Sequence, residues 1–273
     1  MERSFSLGYR WPVQGSLRDA LRGDGLVLCL ALMNARTPDV PAIAAACGYE
    51  AVYIDLEHTS TSLETAAMLC ASAAGAGIAG LVRVPSNDPS IIARVLDNSA
   101  TGVIVPHVDS KIEAEQVVDA ARFPPVGNRS ISGPNAVSGY SHRTPTELTE
   151  ILEHRTVVAV MIETPEAVEA SSEIASVPGV DIVLVGASDL TAQMGIHGEY
   201  ENAHFHRAVE SVAAACREHD VALGVAGIKS IDLLKRFVEL GLRFVSAGTD
   251  VGMMTAAATA REQELRGLRR CAD

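Results

Sequence analysis

Lysine is nearly missing: Lys111, Lys229 and Lys235 are the only three in 273 residues. None lies inside an apolar run, where lost hydration would lower an ammonium pKa far enough for Schiff-base chemistry, so an imine-forming mechanism finds little support. Lys229, shortly after an apolar run, is the one candidate that stays open. Aromatics are also scarce, at 4% with Trp11 the single tryptophan, which leaves nucleic-acid bases without a stacking platform. Acidic residues outnumber basic ones and the formal net charge is −12. Such a field repels phosphate backbones and anionic membrane surfaces, so neither nucleic acid nor membrane is expected as a partner. The five cysteines, Cys29, Cys47, Cys70, Cys216 and Cys271, are far apart and form no C-x-x-C pair. That excludes a disulfide framework and a structural zinc site, and a reducing cytoplasm is the expected location. The longest apolar run, 27–33, falls far short of the roughly 20 residues a membrane span requires. Residues 1–14 carry Glu2, Arg3 and Arg10 and no apolar export core.

What is present is apolar and regular. Apolar residues make up 48% of the chain, with alanine and valine abundant, as in proteins built from buried parallel strands under covering helices. Eight short apolar runs recur, at 26–32, 51–54, 79–84, 102–105, 157–162, 181–185, 221–225 and 243–246. Between them, 38–47, 61–76, 88–98, 110–121, 164–175, 202–218 and 229–240 read as helices, with Ser, Thr, Asp or Pro near their starts. Eight β units in one domain of this length predict a closed (β/α)8 barrel. Residues 252–270 read as a final helix that covers the barrel or packs on a neighbouring subunit. Residues 122–143, rich in Gly, Pro and Ser, are too long for an ordinary connection and are expected to form a functional loop.

In a parallel barrel the active site lies at the C-terminal strand ends. Reading the polar residues there gives Asp55, Glu57 and His58; Arg83; His107 and Asp109; Glu163; Ser188 and Asp189; and Asp250. Glu163 and Asp189, on consecutive strand ends, suit an oxygen-rich site for Mg²⁺ or Mn²⁺, with helix capping as the alternative role for each. Arg83 interrupts an apolar strand, where an unpaired guanidinium is costly, so it must meet an anion, either an internal carboxylate or a substrate's. His58 is a candidate general base, against the plainer reading of a solvated loop histidine. Residues 75–80 spell G-A-G-I-A-G, but they precede a strand, so a dinucleotide loop is set aside in favour of a helix end and turn. His197, His204 and His206 are too irregularly spaced for a metal cluster and read as surface residues.

Several blocks carry a resemblance: Y-E-A-V-Y-I-D-L-E-H (49–58), V-R-V-P-S-N-D-P (82–89), V-L-D-N-S-A-T-G-V-I-V-P-H-V (95–108), R-F-P-P-V-G-N-R (122–129), V-M-I-E-T (160–164) and V-G-A-S-D-L-T-A-Q-M-G (185–195). From about residue 25 to 255 the chain resembles the HpcH/HpaI family of metal-dependent 2-oxo acid aldolases. The resemblance implies retro-aldol cleavage of a 4-hydroxy-2-oxo acid to pyruvate, or a related 2-oxo acid, and an aldehyde. It further implies a divalent cation, Mg²⁺, Mn²⁺ or Co²⁺, bound by Glu163 and Asp189, with His58 as acid/base and Arg83 stabilising the developing enolate. Asp97 would raise the basicity of the histidine, and Gly186 and the Ser188 backbone N–H would receive the substrate carboxylate. Swapped C-terminal helices would build a homohexamer, a trimer of dimers.

The chain departs from the family pattern at Met161, where Gln is usual, at Leu56, where Gly is usual, at Ala187-Ser188, where Pro-Ala is usual, and at 129–132, where R-G-x-G is usual. Met161 makes the substrate pocket more apolar and removes a hydrogen bond to the 2-oxo acid, which bears on substrate choice more than on reaction class. Decarboxylation of an oxaloacetate-like diacid, a CoA-ester lyase reaction on the same barrel and a non-catalytic acid-binding barrel are the competing readings. Residues 128–142 are expected to set aldehyde selectivity as a lid over the strand ends.

Overall fold

The structure, a computed structural model, describes residues 16–140 and 143–268. The reading of residues 1–14, Trp11, Cys271 and the last two residues of the expected C-terminal helix fall outside that range. Eight parallel strands close into a barrel in chain order: β1 (Val27–Leu32), β2 (Ala51–Asp55), β3 (Ala79–Arg83), β4 (Gly102–Val105), β5 (Val157–Ile162), β6 (Ile182–Gly186), β7 (Ala222–Ala226) and β8 (Leu242–Thr249). Each begins within one residue of an expected run. Alternate side chains point inward and outward. Cys29, Tyr53, Leu81, Ile104, Met161, Leu184 and Phe244 fill the barrel, while Leu30, Val52, Val103, Val160, Val183 and Val225 pack under the helices. Because both faces are buried, the strands read as continuous apolar runs instead of alternating ones. Strands β4 and β5 approach closely at Gly102, where a Cβ would come within 2.4 Å of the Val157 carbonyl oxygen.

The helices are α1 (Leu17–Arg22), α2 (Asp39–Ala46), α3 (Leu63–Ala76), α4 (Pro89–Asp97), α5 (Lys111–Ala121), α6 (Pro145–Arg155), α7 (Pro165–Glu169), α8 (Ser171–Ala175), α9 (Ala187–Gln193), α10 (Ala203–Glu218), α11 (Ile231–Glu239) and α12 (Asp250–Gly267). Side chains of Ser62, Asp88, Ser110, Thr164, Asn202 and Ser230 accept the first free N–H groups of their helices, satisfying donors that have no partner inside the helix. Helices α1, α6 and α9 were not anticipated, and the expected helix at 164–175 is divided into α7 and α8. Gly77 ends α3 in the left-handed region at φ 82°, in keeping with the helix end and turn read at 75–80, although residues 79 and 80 already belong to β3.

One expectation is corrected. Since α5 runs back from the C-terminal strand ends, residues 122–143 begin at the opposite face. There Arg122, fully buried, donates to the carbonyls of Gly179 and Thr156 and pairs with Asp181 and Glu153. Asn135 donates to the carbonyls of Leu96 and Asp97. The described part of the segment, 122–140 and 143, lies between α5 and α6 beneath the barrel and is not a lid on its own chain's strand ends, and residues 141 and 142 of the expected loop lie outside the described residues. No described helix is long and apolar enough to cross a membrane. Helix α12 buries no residue against the rest of the chain.

Candidate active site

A cavity of about 640 Å³ opens at the C-terminal strand ends, lined by residues that include Tyr53, His58, Arg83, Met161, Glu163, Gly186, Ser188, Asp189 and Lys229. Glu163 follows β5 directly and is 2% exposed. Its Oε2 accepts the His107 N–H at 3.1 Å. Burial pushes its pKa up; the His107 N–H pulls the other way, and the charges of Asp189 and Glu57 add to the rise. Space for the carboxylate depends on Gly186, where a Cβ would lie 2.6 Å from Glu163 Oε1. Just beyond Gly186, Ser188 and Asp189 occupy the exposed first turn of α9. The Ser188 Oγ is 3.3 Å from the Tyr200 hydroxyl.

Arg83 ends β3 in register with Asp55 of β2. Its Nε and one terminal nitrogen donate to the two Asp55 oxygens at 2.9 and 2.8 Å, and Nη1 lies 3.0 Å from Glu57 Oε2. The anion that Arg83 had to meet is therefore internal, and two carboxylates share it. Burial opposes ionisation of Asp55, but the bidentate guanidinium outweighs it and holds the carboxyl below its usual range. The Arg83 guanidinium also lies 5.9 Å from the Tyr53 ring centroid. Asp55 takes two of its five donors and Glu57 faces a third, so the guanidinium is fixed in place on the cavity wall with donors left over for a ligand.

Glu57 ties the site together in a way the sequence did not reveal. His58 Nε2 lies 3.6 Å from its Oε2, and His107 Nε2 lies 3.3 Å from its Oε1. His107 also sits 3.4 Å from Glu163 through Nδ1 and holds a left-handed φ of 53°, a conformation costly for a non-glycine residue and common at functional sites. Glu57 and His107 both stood at strand ends; their meeting depends on that backbone conformation, which no spacing rule encodes. Met161, 3% exposed, presents an apolar wall to the cavity.

Asp97 is a second correction. It ends α4, at the N-terminal end of the barrel, where Arg129 and Ser132 bond its carboxylate at 2.8 and 3.0 Å. Within one chain it is not on the cavity wall and does not meet His58. Lys229 does line the cavity, but it is exposed, without the desolvation a Schiff-base amine needs.

The donor chemistry suits a hard divalent cation. Among the described residues no group of three or more His, Cys, Asp or Glu is placed to hold a metal, so Glu163 and Asp189 would supply two oxygen ligands. Such a site leaves the remaining positions to water and substrate, the open coordination a catalytic ion requires. The raised proton affinity of Glu163 fits this reading, because a neighbouring cation would offset the mutual repulsion of the acids.

A family model described as HpcH/HpaI aldolase/citrate lyase matches residues 30–257. A 4-hydroxy-4-methyl-2-oxoglutarate aldolase of Hapsidospora irregularis is 34% identical over 237 residues, 85% of this chain and 88% of that protein. A 4-hydroxy-2-oxo-heptane-1,7-dioate aldolase of Shigella sonnei is 34% identical over 218 residues, covering 80% of this chain and 82% of its own length. The crystal structure of an HpcH/HpaI aldolase from Desulfitobacterium hafniense superposes with a TM-score of 0.88 at 26% identity, covering 95% of this chain and all of the other. The chain belongs to the HpcH/HpaI aldolase/citrate lyase family.

Proposed function

We propose that this protein is a metal-dependent carbon–carbon lyase that cleaves a 4-hydroxy-2-oxo acid reversibly to pyruvate, or a related 2-oxo acid, and an aldehyde. The observation that carries the reading is the placement of Glu163 and Asp189 on one cavity with the Arg83 charge and the His58 imidazole. The aldolase names of its relatives support it. A bound Mg²⁺, Mn²⁺ or Co²⁺ would act as a Lewis acid toward the 2-oxo acid. Glu163 and Asp189 would hold it, the first oriented by the His107 N–H and the second placed by the opening turn of α9. The N–H of Ser188, with Gly186 beside it, receives the substrate carboxylate, since first-turn N–H groups have no partner within a helix. Arg83 stabilises the negative charge that builds on the former ketone oxygen, a charge already in place before reaction. His58, 59% exposed at the cavity mouth, takes the proton of the 4-hydroxyl as the C3–C4 bond breaks; the resulting enolate gains a proton at C3 to give the free 2-oxo acid, and condensation runs both transfers in reverse. Met161 leaves part of the pocket without a donor and favours an apolar substituent on the bound acid.

The assembly is a homo-oligomer, the swapped-helix hexamer that the resemblance implies. In support, α12 exposes Met254 and Leu265 at 67% and 49%, Leu268 just after it is 75% exposed, and the helix buries nothing on its own chain, a surface that calls for a partner. The widely spaced thiols support a reducing, cytoplasmic setting.

The test is pyruvate release from a panel of 4-hydroxy-2-oxo acids and oxaloacetate, before and after EDTA and after Mg²⁺, Mn²⁺ or Co²⁺ is restored. Turnover should vanish with EDTA and return with metal. In Glu163→Gln and Asp189→Asn it should fall by at least about two orders of magnitude, the scale of losing a metal's electrostatic stabilisation. Release from oxaloacetate alone would make the protein a decarboxylase, and metal-independent turnover lost in Lys229→Ala would replace the mechanism with imine chemistry.

A further inference from the structure

At the face opposite the active site, a second cavity of about 410 Å³ opens between α1, α10 and the starts of β6, β7 and β8. Four arginines line it: Arg18, Arg22, Arg217 and Arg243. In a chain of net charge −12 this is a local inversion of sign, and the guanidiniums repel one another unless anions settle between them. The chain's own acids do so only in part. Arg18 donates to Asp181 at 2.7 Å, but Asp181 is also engaged by the buried Arg122 and by the Val158 N–H. Arg217 reaches only the Leu240 carbonyl, at 3.4 Å. Arg243 lies 3.7 Å from Asp24, whose side chain is fully exposed. The Arg22 side chain makes no hydrogen bond or ion pair within 4 Å among the described residues, and its charge is felt by Asp19 one turn earlier in α1. Asp220, the other acid on the wall, holds a left-handed φ of 54°. Leu21, Leu223 and Leu240 add apolar surface to the mostly polar wall.

We propose that this cavity binds a small organic dianion, a dicarboxylate or a phosphate monoester, at a site separate from the catalytic one. On the wall itself four arginines face two aspartates, and the exposed Asp24 approaches only Arg243, at 3.7 Å, so guanidinium donors are left for a ligand to meet. Guanidinium forks pair bidentately with carboxylate or phosphate, and the leucine side chains take a short carbon skeleton. The volume falls within the range of about 300–1,000 Å³ typical of small-ligand pockets. The site touches the starts of β6 and β7, at the opposite ends from the catalytic cavity, so its occupancy and catalysis can be separated by mutation.

The experiment is calorimetric titration of full-length Glu163→Gln protein in EDTA, so that no metal at the catalytic cavity draws the probe. Succinate serves as the dicarboxylate and glycerol 3-phosphate as the phosphate ester. Saturable binding of one of them, weakened about tenfold in the added pair Arg217→Gln and Arg243→Gln and falling with salt, is the expected result. Arg217→Lys alone keeps the charge and loses the fork, and should weaken binding less; circular dichroism checks that each variant is folded. In the wild-type background the arginine pair should leave retro-aldol turnover unchanged. No saturable binding of either probe up to millimolar concentrations, or binding indifferent to the arginines, overturns the proposal.

Discussion

Glu163 shows how far one side chain can be set against its own folding. Its burial beside Asp189 and Glu57 raises its pKa, so the folded metal-free protein holds a proton there more tightly than the unfolded chain does. A raised folded value contributes stability below the unfolded pKa and loses it as pH rises through the folded value. Glu163→Gln should therefore raise the melting temperature of EDTA-treated protein at pH 8, with the gain shrinking toward pH 5; an equal or lower melting temperature at pH 8 counts against a strained carboxylate. The neighbouring glycine gives a sharper test. In Gly186→Ala the new Cβ, 2.6 Å from Glu163 Oε1, must push the carboxylate aside, and displaced ligands typically cost about 10–100-fold in metal affinity. Metal titration should register that loss while circular dichroism stays unchanged. Of this neighbourhood, the sequence revealed which residues stand at strand ends, because strand ends follow directly from apolar runs. It did not reveal that Glu57 would join Arg83, His58 and His107, since that depends on distances across three loops. Nor did it choose between an internal and an external anion for Arg83, which the register of Asp55 with Arg83 decides.

At the scale of elements, strands were more legible than helices. A strand buried on both faces leaves an unbroken apolar signature. Helix α6 shows only Leu148 and Leu152 buried in eleven residues, and α1 is six residues long, so neither stands out from a polar loop. The misplaced lid has a related cause: composition marks a long loop but not its side of the barrel, and only the unrecognised α6 fixes that 122–143 joins two helices beneath the strands. Loops on the catalytic side are held more tightly than their composition suggests. Asp250, at the start of α12, accepts the N–H groups of Met33, Asn34 and Ala35 at 2.9, 3.0 and 2.7 Å. Asp250→Ala leaves three donors seeking partners and should cost about 1–3 kcal/mol, the penalty for unsatisfied polar groups. Denaturant melts measure the loss, and faster amide exchange confined to 33–35 would locate it.

For the whole molecule, the closed barrel supplies its own core, while α12 is left to other contacts. A chain ended after Gly252 keeps Asp250 and all eight strands, so it should fold. By light scattering it should run as a smaller species than the full protein; an unchanged mass would show that the assembly uses another surface. The barrel's two ends have separate duties as well: Arg122 and its carbonyl partners close the lower end beside the arginine-lined cavity, and Glu57, His58, His107, Glu163 and Asp189 gather at the upper.

Helix α12 is 18 residues, about 27 Å long, and its first turns supply Gly252, Met253 and Ala256 to the wall of the catalytic cavity. One end of the helix thus stands in the active site while its later turns are exposed on the chain. If a second copy holds it, protein concentration becomes a variable of catalysis: on dilution, specific activity should decline along with the assembled fraction, with no change in any residue that touches substrate.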